Sequence, residues 1–179
     1  MSADGSRLPP IDPDALDPEQ RRVYEAIAGS RGRVAGPFAV LLHSPQLADR
    51  VQQLGAHLRY DGALERRLAE LAVLITADAW SCAFEWSAHE PIARAAGLSD
   101  AAIGGVRAGL PPGDADDRLA AVFDYARQLA TTGDVADATH ARVLSLFGLE
   151  QTVELTVLVG YYTLLAMTLN AHRVAPVEG

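Results

Sequence analysis

The sequence predicts an all-α protein of about eight helices joined by short links. Apolar residues recur at the spacing of a helix face, as in the run Leu47, Val51, Leu54 and Leu58. That spacing of three or four residues is the buried stripe of an amphipathic helix. No run alternates apolar and polar residues over a useful length, so no strand is predicted.

Start and stop residues divide the chain into these helices. Asp17 can cap a helix that begins at Pro18, and Gln20 can complete a capping box. Ser44-Pro45 repeats this pattern. Helix-ending glycines follow at Gly29, Gly62, Gly97, Gly109, Gly133 and Gly148. The predicted helical segments are therefore 17–29, 44–61, 64–78, 82–97, 99–109, 119–133, 137–147 and 150–171, with an interruption at Pro91 because proline lacks the backbone donor.

The composition is that of a globular protein. The 179 residues are 49% hydrophobic and 21% charged, which suits one domain with a real core. We expect residues 1–16, which are polar and rich in proline, to form a flexible arm, and residues 17–179 to form a single helical domain. The net charge of −8 argues against nucleic acid or an anionic membrane as a partner.

Two further compositional features concern chemistry and location. All basic residues are arginine, so lysine Schiff-base chemistry is excluded. Cys82 is the single cysteine, so no intrachain disulfide can form. A free thiol suits a reducing compartment, and the N-terminus shows no apolar signal-peptide core, so we expect a cytoplasmic protein.

The most apolar segment runs from Leu155 to Leu169. It is shorter than the roughly 20 residues that a bilayer requires, and Glu150 and Glu154 precede it. We interpret it as a buried or interface helix. It is more apolar than one core face needs, so we expect an oligomer.

Two segments resemble each other. Leu68–Ile75 reads LAELAVLI and Thr152–Val159 reads TVELTVLV, which places Glu70 opposite Glu154. An internal duplication explains the likeness, and two unrelated apolar helices explain it equally well.

The segment from Glu70 to His89 carries the candidate chemistry. Cys82, Glu85 and His89 lie at spacings of three and four, so on a helix they share one face. A thiol, a carboxylate and an imidazole supply a nucleophile or acid, a charge and a proton carrier near neutral pH. Glu70 lies in an apolar stretch of the preceding helix, and we expect it to meet His89 in a buried groove. We also expect the start of a helix at Cys82 to favour the thiolate.

Structural roles explain the same residues without chemistry. Cys82 can be a small buried apolar residue. Glu85 and His89 can be a surface pair, and Glu70 can be paired with Arg66 or Arg67. The ligand types of Glu70, Glu85 and His89 would suit a metal, but a second histidine is missing, and we expect neither a metal nor an organic cofactor.

The segment resembles the signature of the carboxymuconolactone decarboxylase family, which includes the alkylhydroperoxidase D group. That group has Glu, eleven residues, Cys-x-x-Cys, three residues and His. Glu70, Cys82 and His89 match the glutamate, the first cysteine and the histidine in register, whereas Glu85 replaces the second cysteine. The segments 91–99 and 160–162 are also similar to the family.

The resemblance implies an all-helical fold assembled as trimers or hexamers, with the pocket near a subunit interface. Family members of the decarboxylase type act on small cyclic lactone acids without a metal or an organic cofactor. Glu85 prevents the vicinal disulfide that a dithiol peroxidase cycle requires. The resemblance therefore implies a lyase more than a peroxidase.

The leading hypothesis is a cofactor-independent lyase on a small carboxylated, cyclic substrate. His89 is then the general acid or base, Glu70 orients it, and Glu85 sets its electrostatic environment. Cys82 lines the pocket or serves as a second acid. Substrate contacts are expected from Trp86 and Tyr161.

Two rival hypotheses are retained. One is a thiol peroxidase of the alkylhydroperoxidase or peroxiredoxin kind that uses Cys82 with an external resolving thiol. The other is a non-catalytic, oligomeric ligand-binding protein of the same fold. For a substrate carboxylate, Arg59 and Arg94 are equally suitable in sequence.

Overall fold

The computed structural model describes residues 6–112 and 116–176, and the all-α prediction is confirmed. In this part of the chain helices are the regular secondary structure and no strand is present. The eight α-helices are α1 (Pro18–Arg31), α2 (Pro37–Leu41), α3 (Pro45–Ala56), α4 (Arg66–Ala79), α5 (Ala83–Ala95), α6 (Asp100–Ala108), α7 (Asp117–Thr132) and α8 (Asp137–His172). A 3₁₀ turn, Pro13–Ala15, precedes α1, and a π-helical turn, His57–Asp61, follows α3.

The start of α1 has the predicted capping box. The Asp17 carboxylate accepts the backbone N–H of Gln20 at 2.8 Å, and the Gln20 side chain accepts the N–H of Asp17 at 3.1 Å. The helix continues past Gly29 to Arg31 and ends where Gly32, at φ 78°, donates its N–H to Ala28. The positive φ, which glycine adopts without a Cβ clash, decides the end of the helix.

The described residues divide into two compact units. The first comprises residues 6–61 and 168–175, and in it α1 packs on α3 with Val23 and Ile27 buried. The second comprises residues 62–167 with Pro176, and in it α4 contacts α5, α6 and α7. A single domain over residues 17–179 behind a flexible arm stays a prediction.

Helix α4 is the centre of the second unit. Its residues from Leu71 to Ala77 are all buried, so both faces of the helix are covered by neighbours. A helix buried all round places any polar side chain it carries in the interior. Glu70 and Thr76 are the buried polar residues of α4.

Helix α5 continues through Pro91, where an interruption was predicted. Proline removes one backbone donor, and the buried side chains of His89 and Ala93 on either side of it remain packed. Helix α8 contains the predicted break: Gly148 has φ 75° and ψ −179°, which is not helical.

Helix α8 is long and apolar enough to cross a membrane by length and composition alone. Half of its most apolar stretch is buried within the protein, and a buried core helix has the same composition. The helix is therefore weak evidence for a membrane.

Candidate active site

Glu70 and His89 meet in the interior of the second unit, as the sequence predicts. Glu70 is 4% exposed on α4, and His89 is 6% exposed on α5. The Nδ1 atom of His89 lies 2.8 Å from Oε2 of Glu70. Burying a carboxylate is costly unless it is paired and hydrogen-bonded, and the imidazole supplies part of that pairing.

Arg66 supplies the second partner of Glu70. Its Nε donates to Oε1 of Glu70 at 3.0 Å, one helical turn away on α4. The two interpretations of Glu70, as a partner of histidine or of arginine, are therefore both correct, one for each carboxylate oxygen. The half-exposed Arg66 connects the buried carboxylate to the surface.

Glu85 faces the other nitrogen of the imidazole. Its Oε2 lies 3.5 Å from Nε2 of His89, and Glu85 is itself 3% exposed. The pair is therefore buried and not a surface pair. Since each ring nitrogen faces a carboxylate, a proton on either nitrogen has a carboxylate oxygen nearby.

Tyr162, which belongs to the segment 160–162 that is similar to the family, completes the surroundings of the imidazole. Its ring meets the His89 ring edge-on, with centroids 5.0 Å apart and planes at 86°. Tyr161, the predicted substrate contact, packs edge-on against Tyr162 at 5.4 Å. The substrate-binding role of Tyr161 stays a prediction.

Cys82 stands at the start of α5 and is 2% exposed. Burial raises the pKa of the Cys82 thiol above its ordinary value of 9.0. The backbone N–H groups of Glu85 and Phe84 act to lower this pKa, and the Glu85 carboxylate adds to the rise. The prediction that the helix start favours the thiolate is therefore wrong, because loss of solvent outweighs the helix dipole.

A cavity of about 400 Å³ lies beside the thiol. Its walls include Cys82, Trp86 and Ser81, and the last has a positive φ of 48°, which is unusual for a residue with a side chain. Glu70, Glu85, His89 and Tyr161 do not line this cavity. A larger cavity, of about 540 Å³, lies in the first unit and is lined by none of the predicted site residues.

The Trp86 side chain is held on two sides. Its indole N–H donates to Glu90 at 2.6 Å, and the guanidinium of Arg107 lies 3.8 Å from the centre of the ring. Arg107 also lines the cavity. It escaped the sequence analysis because its contact with Trp86 joins α6 to α5, and no local spacing indicates such a contact.

The two arginines suggested for a substrate carboxylate do not line either cavity. Arg94 is bound by Glu90 at 2.8 Å and by Asp100 at 2.9 Å. Arg59 lies over the ring of Tyr60 at 5.7 Å. In residues 6–112 and 116–176, no group of three His, Cys, Asp or Glu side chains is arranged to hold a metal ion.

The helices of the described residues form an alkylhydroperoxidase D-like fold that carries a buried glutamate–histidine pair. Residues 45–128 match the model of the carboxymuconolactone decarboxylase family. The matched segment contains Glu70, Cys82, Glu85 and His89. No curated protein sequence matches the chain.

Solved structures share the fold at low sequence identity. An uncharacterized peroxidase-related protein from Ralstonia eutropha, described as an alkylhydroperoxidase AhpD core, is 21% identical with a TM-score of 0.81, covering 97% of this chain and 93% of its own. A cysteine-to-alanine variant of the debrominase Bmp8, in complex with 2,3,4-tribromopyrrole, is 12% identical with a TM-score of 0.78, covering 96% and 94%. A protein of unknown function from Agrobacterium tumefaciens is 19% identical with a TM-score of 0.71, covering 78% and 96%.

Proposed function

We propose that the protein is a cofactor-independent lyase of the decarboxylase type, acting on a small carboxylated, cyclic substrate such as a lactone acid. The observation that carries this proposal is the position of the His89 ring between Glu70 at 2.8 Å and Glu85 at 3.5 Å. The match of residues 45–128 to the carboxymuconolactone decarboxylase family supports it, since that family bears the name of a decarboxylase.

Decarboxylation requires a proton donor positioned next to the substrate. Loss of carbon dioxide leaves a carbanion, which must be reprotonated, and an imidazole can deliver that proton near neutral pH. In this proposal Glu70 holds the ring through Nδ1, and Nε2 exchanges its proton on the side of Glu85. Glu85 lies one turn along α5 from Cys82, which lines the cavity, and in this proposal Glu85 links the imidazole to a substrate bound there.

A thiol oxidoreductase is the second candidate, because Cys82 lines the cavity. The relatives named as peroxidase-related or as a debrominase share this fold. The raised pKa of the Cys82 thiol favours the lyase, since the thiolate is the nucleophile in such chemistry. A non-catalytic ligand-binding protein is the third candidate.

The experiment compares four variants on a panel of cyclic lactone acids and on organic hydroperoxides. We expect His89→Ala to lower lyase turnover by roughly 10²–10⁴-fold and Glu70→Gln to lower it less, because glutamine keeps a hydrogen-bonding group. Cys82→Ser should keep most of the turnover. His140→Ala is the matched control, since that histidine is exposed and far along the chain from the cluster.

Two outcomes contradict the lyase, and a third contradicts the assignment of its site. Hydroperoxide turnover that Cys82→Ser abolishes identifies the thiol oxidoreductase. Ligand binding without turnover of any compound identifies the binding protein. Full activity in both His89→Ala and Glu70→Gln removes the site assignment.

We also propose that the protein is a cytoplasmic homotrimer or homohexamer. A stripe of large apolar side chains on α8 is exposed in the single chain, and the members of this apolar stripe are Leu149, Val153, Val157, Leu164 and Met167. Their spacing keeps them near one face of the helix. A second copy of the chain is the proposed cover, and the single free cysteine suits a reducing compartment.

A further inference from the structure

We propose that Arg107 and Trp86 form the anion-binding wall of the cavity beside Cys82, and that this wall recognises a small, ring-bearing monocarboxylate through its carboxylate group. The cavity's role as a substrate site rests on the proposed function. The assignment of Arg107 as an anion-binding residue is independent of the proposed function, because it follows from the charges and contacts of the cavity itself.

Arg107 differs from the other arginines of the second unit because it forms no ion pair with a described carboxylate. In the described residues of the second unit, the other arginines each contact a carboxylate, and they are Arg66, Arg67, Arg94, Arg118, Arg127 and Arg142. No carboxylate among residues 6–112 and 116–176 pairs with Arg107. Carboxylates are in excess in this protein, which has a net charge of −8, and yet none of the described ones is bound to Arg107. Because Arg107 also lines the cavity, its charge is available to an external anion.

The guanidinium of Arg107 lies over the ring of Trp86. It lies 3.8 Å from the centre of the Trp86 ring, which is cation–π contact distance. The indole is fixed in turn by its hydrogen bond to Glu90, and Glu90 is bound to Arg94. A guanidinium that lies over an aromatic ring still has N–H donors, and a pair of them matches the two oxygens of a carboxylate.

The rest of the cavity does not compete for the charge of Arg107. Asp78 also lines the cavity, but Arg127 binds its Oδ2 atom at 2.9 Å. The Cys82 thiol is neutral near pH 7 because burial raises its pKa. Among the described residues that line the cavity, Arg107 is therefore the charged side chain that has no ion-pair partner.

The size and lining of the cavity limit the ligand. A volume of about 400 Å³ holds a molecule with one or two rings. Ala77, Ala83 and the Trp86 side chain supply apolar surface for such a ring. A small molecule with one carboxylate and an apolar body satisfies both parts of the wall.

Benzoate and benzamide test the assignment, because they differ in charge and hardly in shape. Binding is followed by the fluorescence of Trp86 in a Trp80→Phe background, since these are the two tryptophans of the chain. We expect Arg107→Gln to weaken benzoate binding by about tenfold or more and to leave benzamide unchanged. Arg107→Lys keeps the charge but loses the planar arrangement of N–H donors, so its affinity for benzoate should lie between those of the wild type and Arg107→Gln.

Arg142→Gln is the control, since it removes one positive charge from an arginine that Asp117 and Asp124 already bind. Three results overturn the proposal: benzoate leaves Trp86 fluorescence unchanged, benzamide binds as tightly as benzoate, or Arg107→Gln and Arg142→Gln weaken benzoate equally. His89→Ala in the same background separates this proposal from the lyase, because it should keep benzoate affinity whether or not it loses turnover.

Discussion

Glu70 organises the site because it is a buried carboxylate with two partners. Its oxygens divide between the imidazole of His89 and the guanidinium of Arg66. Removing one member of a buried ion pair costs about 3–5 kcal/mol, because the remaining charge loses its partner. Glutamine is therefore the informative replacement at this position, since it separates the loss of charge from the loss of packing.

The chemistry of Cys82 provides the first test at the residue scale. Burial holds the thiol proton, so the pKa of Cys82 lies above 9.0 in the folded protein. We expect alkylation by iodoacetamide to be slow at pH 7–8 and to increase only above pH 9, because the thiolate is the reactive form. N-acetylcysteine, measured over the same pH range, is the reference for an exposed thiol.

The same pKa has a consequence for stability. The folded protein keeps the thiol proton to a higher pH than the unfolded chain does, so this contribution is fully present below pH 9.0 and is lost as pH rises through the folded-state pKa. Cys82→Ser should remove that part of the decline in stability above pH 9.0. An alkylation midpoint below pH 9.0 would contradict the raised pKa of Cys82.

Spacing along the sequence predicted some of the site residues, whereas others could be recognised only from contacts between helices in the structure. Cys82, Glu85 and His89 share a face because three and four residues make one helical turn. Glu70 was recognisable as a charge in an apolar run. Arg107 was not, since its contact with Trp86 joins separate helices, and the contact of Tyr162 with His89 likewise needed the structure. The pKa of Cys82 also needed the structure, because burial depends on packing.

At the scale of elements, Gly148 determines where α8 changes direction. Its φ of 75° with ψ of −179° lies in a region that only glycine occupies readily. We expect Gly148→Ala to destabilise the fold by about 1–3 kcal/mol, because the added Cβ strains the backbone even though no neighbouring atom lies within 4 Å. Urea denaturation of the purified variant measures the change.

Gly104→Ala is the matched control for this prediction. Gly104 lies inside α6 without a positive φ, and its added Cβ also meets nothing within 4 Å. This variant should be more stable than the wild type by about 0.5–1 kcal/mol, because alanine loses less backbone entropy in a helix. Equal effects of the two substitutions would show that backbone strain at Gly148 is absent.

Helix boundaries were predictable where a side chain or a glycine decides them. The capping box at Asp17 and the break at Gly148 are both present. Pro91 and Gly29 were misleading, because helices α5 and α1 continue through them. A single lost hydrogen bond or a missing side chain is outweighed when the surrounding helix is packed against its neighbours.

At the scale of the whole molecule, the fold tolerates extensive change in sequence. The Ralstonia eutropha structure shares 21% of residues over 97% of this chain, and the debrominase Bmp8 variant shares 12% over 96%. A helical fold depends on the pattern of apolar positions more than on their identity. The fold class was therefore predictable from periodicity, whereas the reaction depends on a few residues and must be assayed.

The apolar stripe on α8 leads to a prediction about assembly. Val153 is 62% exposed and Leu149 is 77% exposed in the single chain, and fully burying such side chains contributes about 1.5–3 kcal/mol each. We expect light scattering to give a mass of three or six times 19.0 kDa at micromolar concentration. Val153→Asp should shift the protein to smaller particles, because a carboxylate in the interface loses its water.

Leu110→Asp is the matched control for Val153→Asp, since Leu110 is 61% exposed but lies on the link after α6 and not on the apolar stripe. It should leave the mass unchanged, because an exposed carboxylate there remains in water. A wild-type particle of 19.0 kDa would contradict the assembly. An equal loss of mass in both variants would show that general surface charge, and not the stripe on α8, controls association.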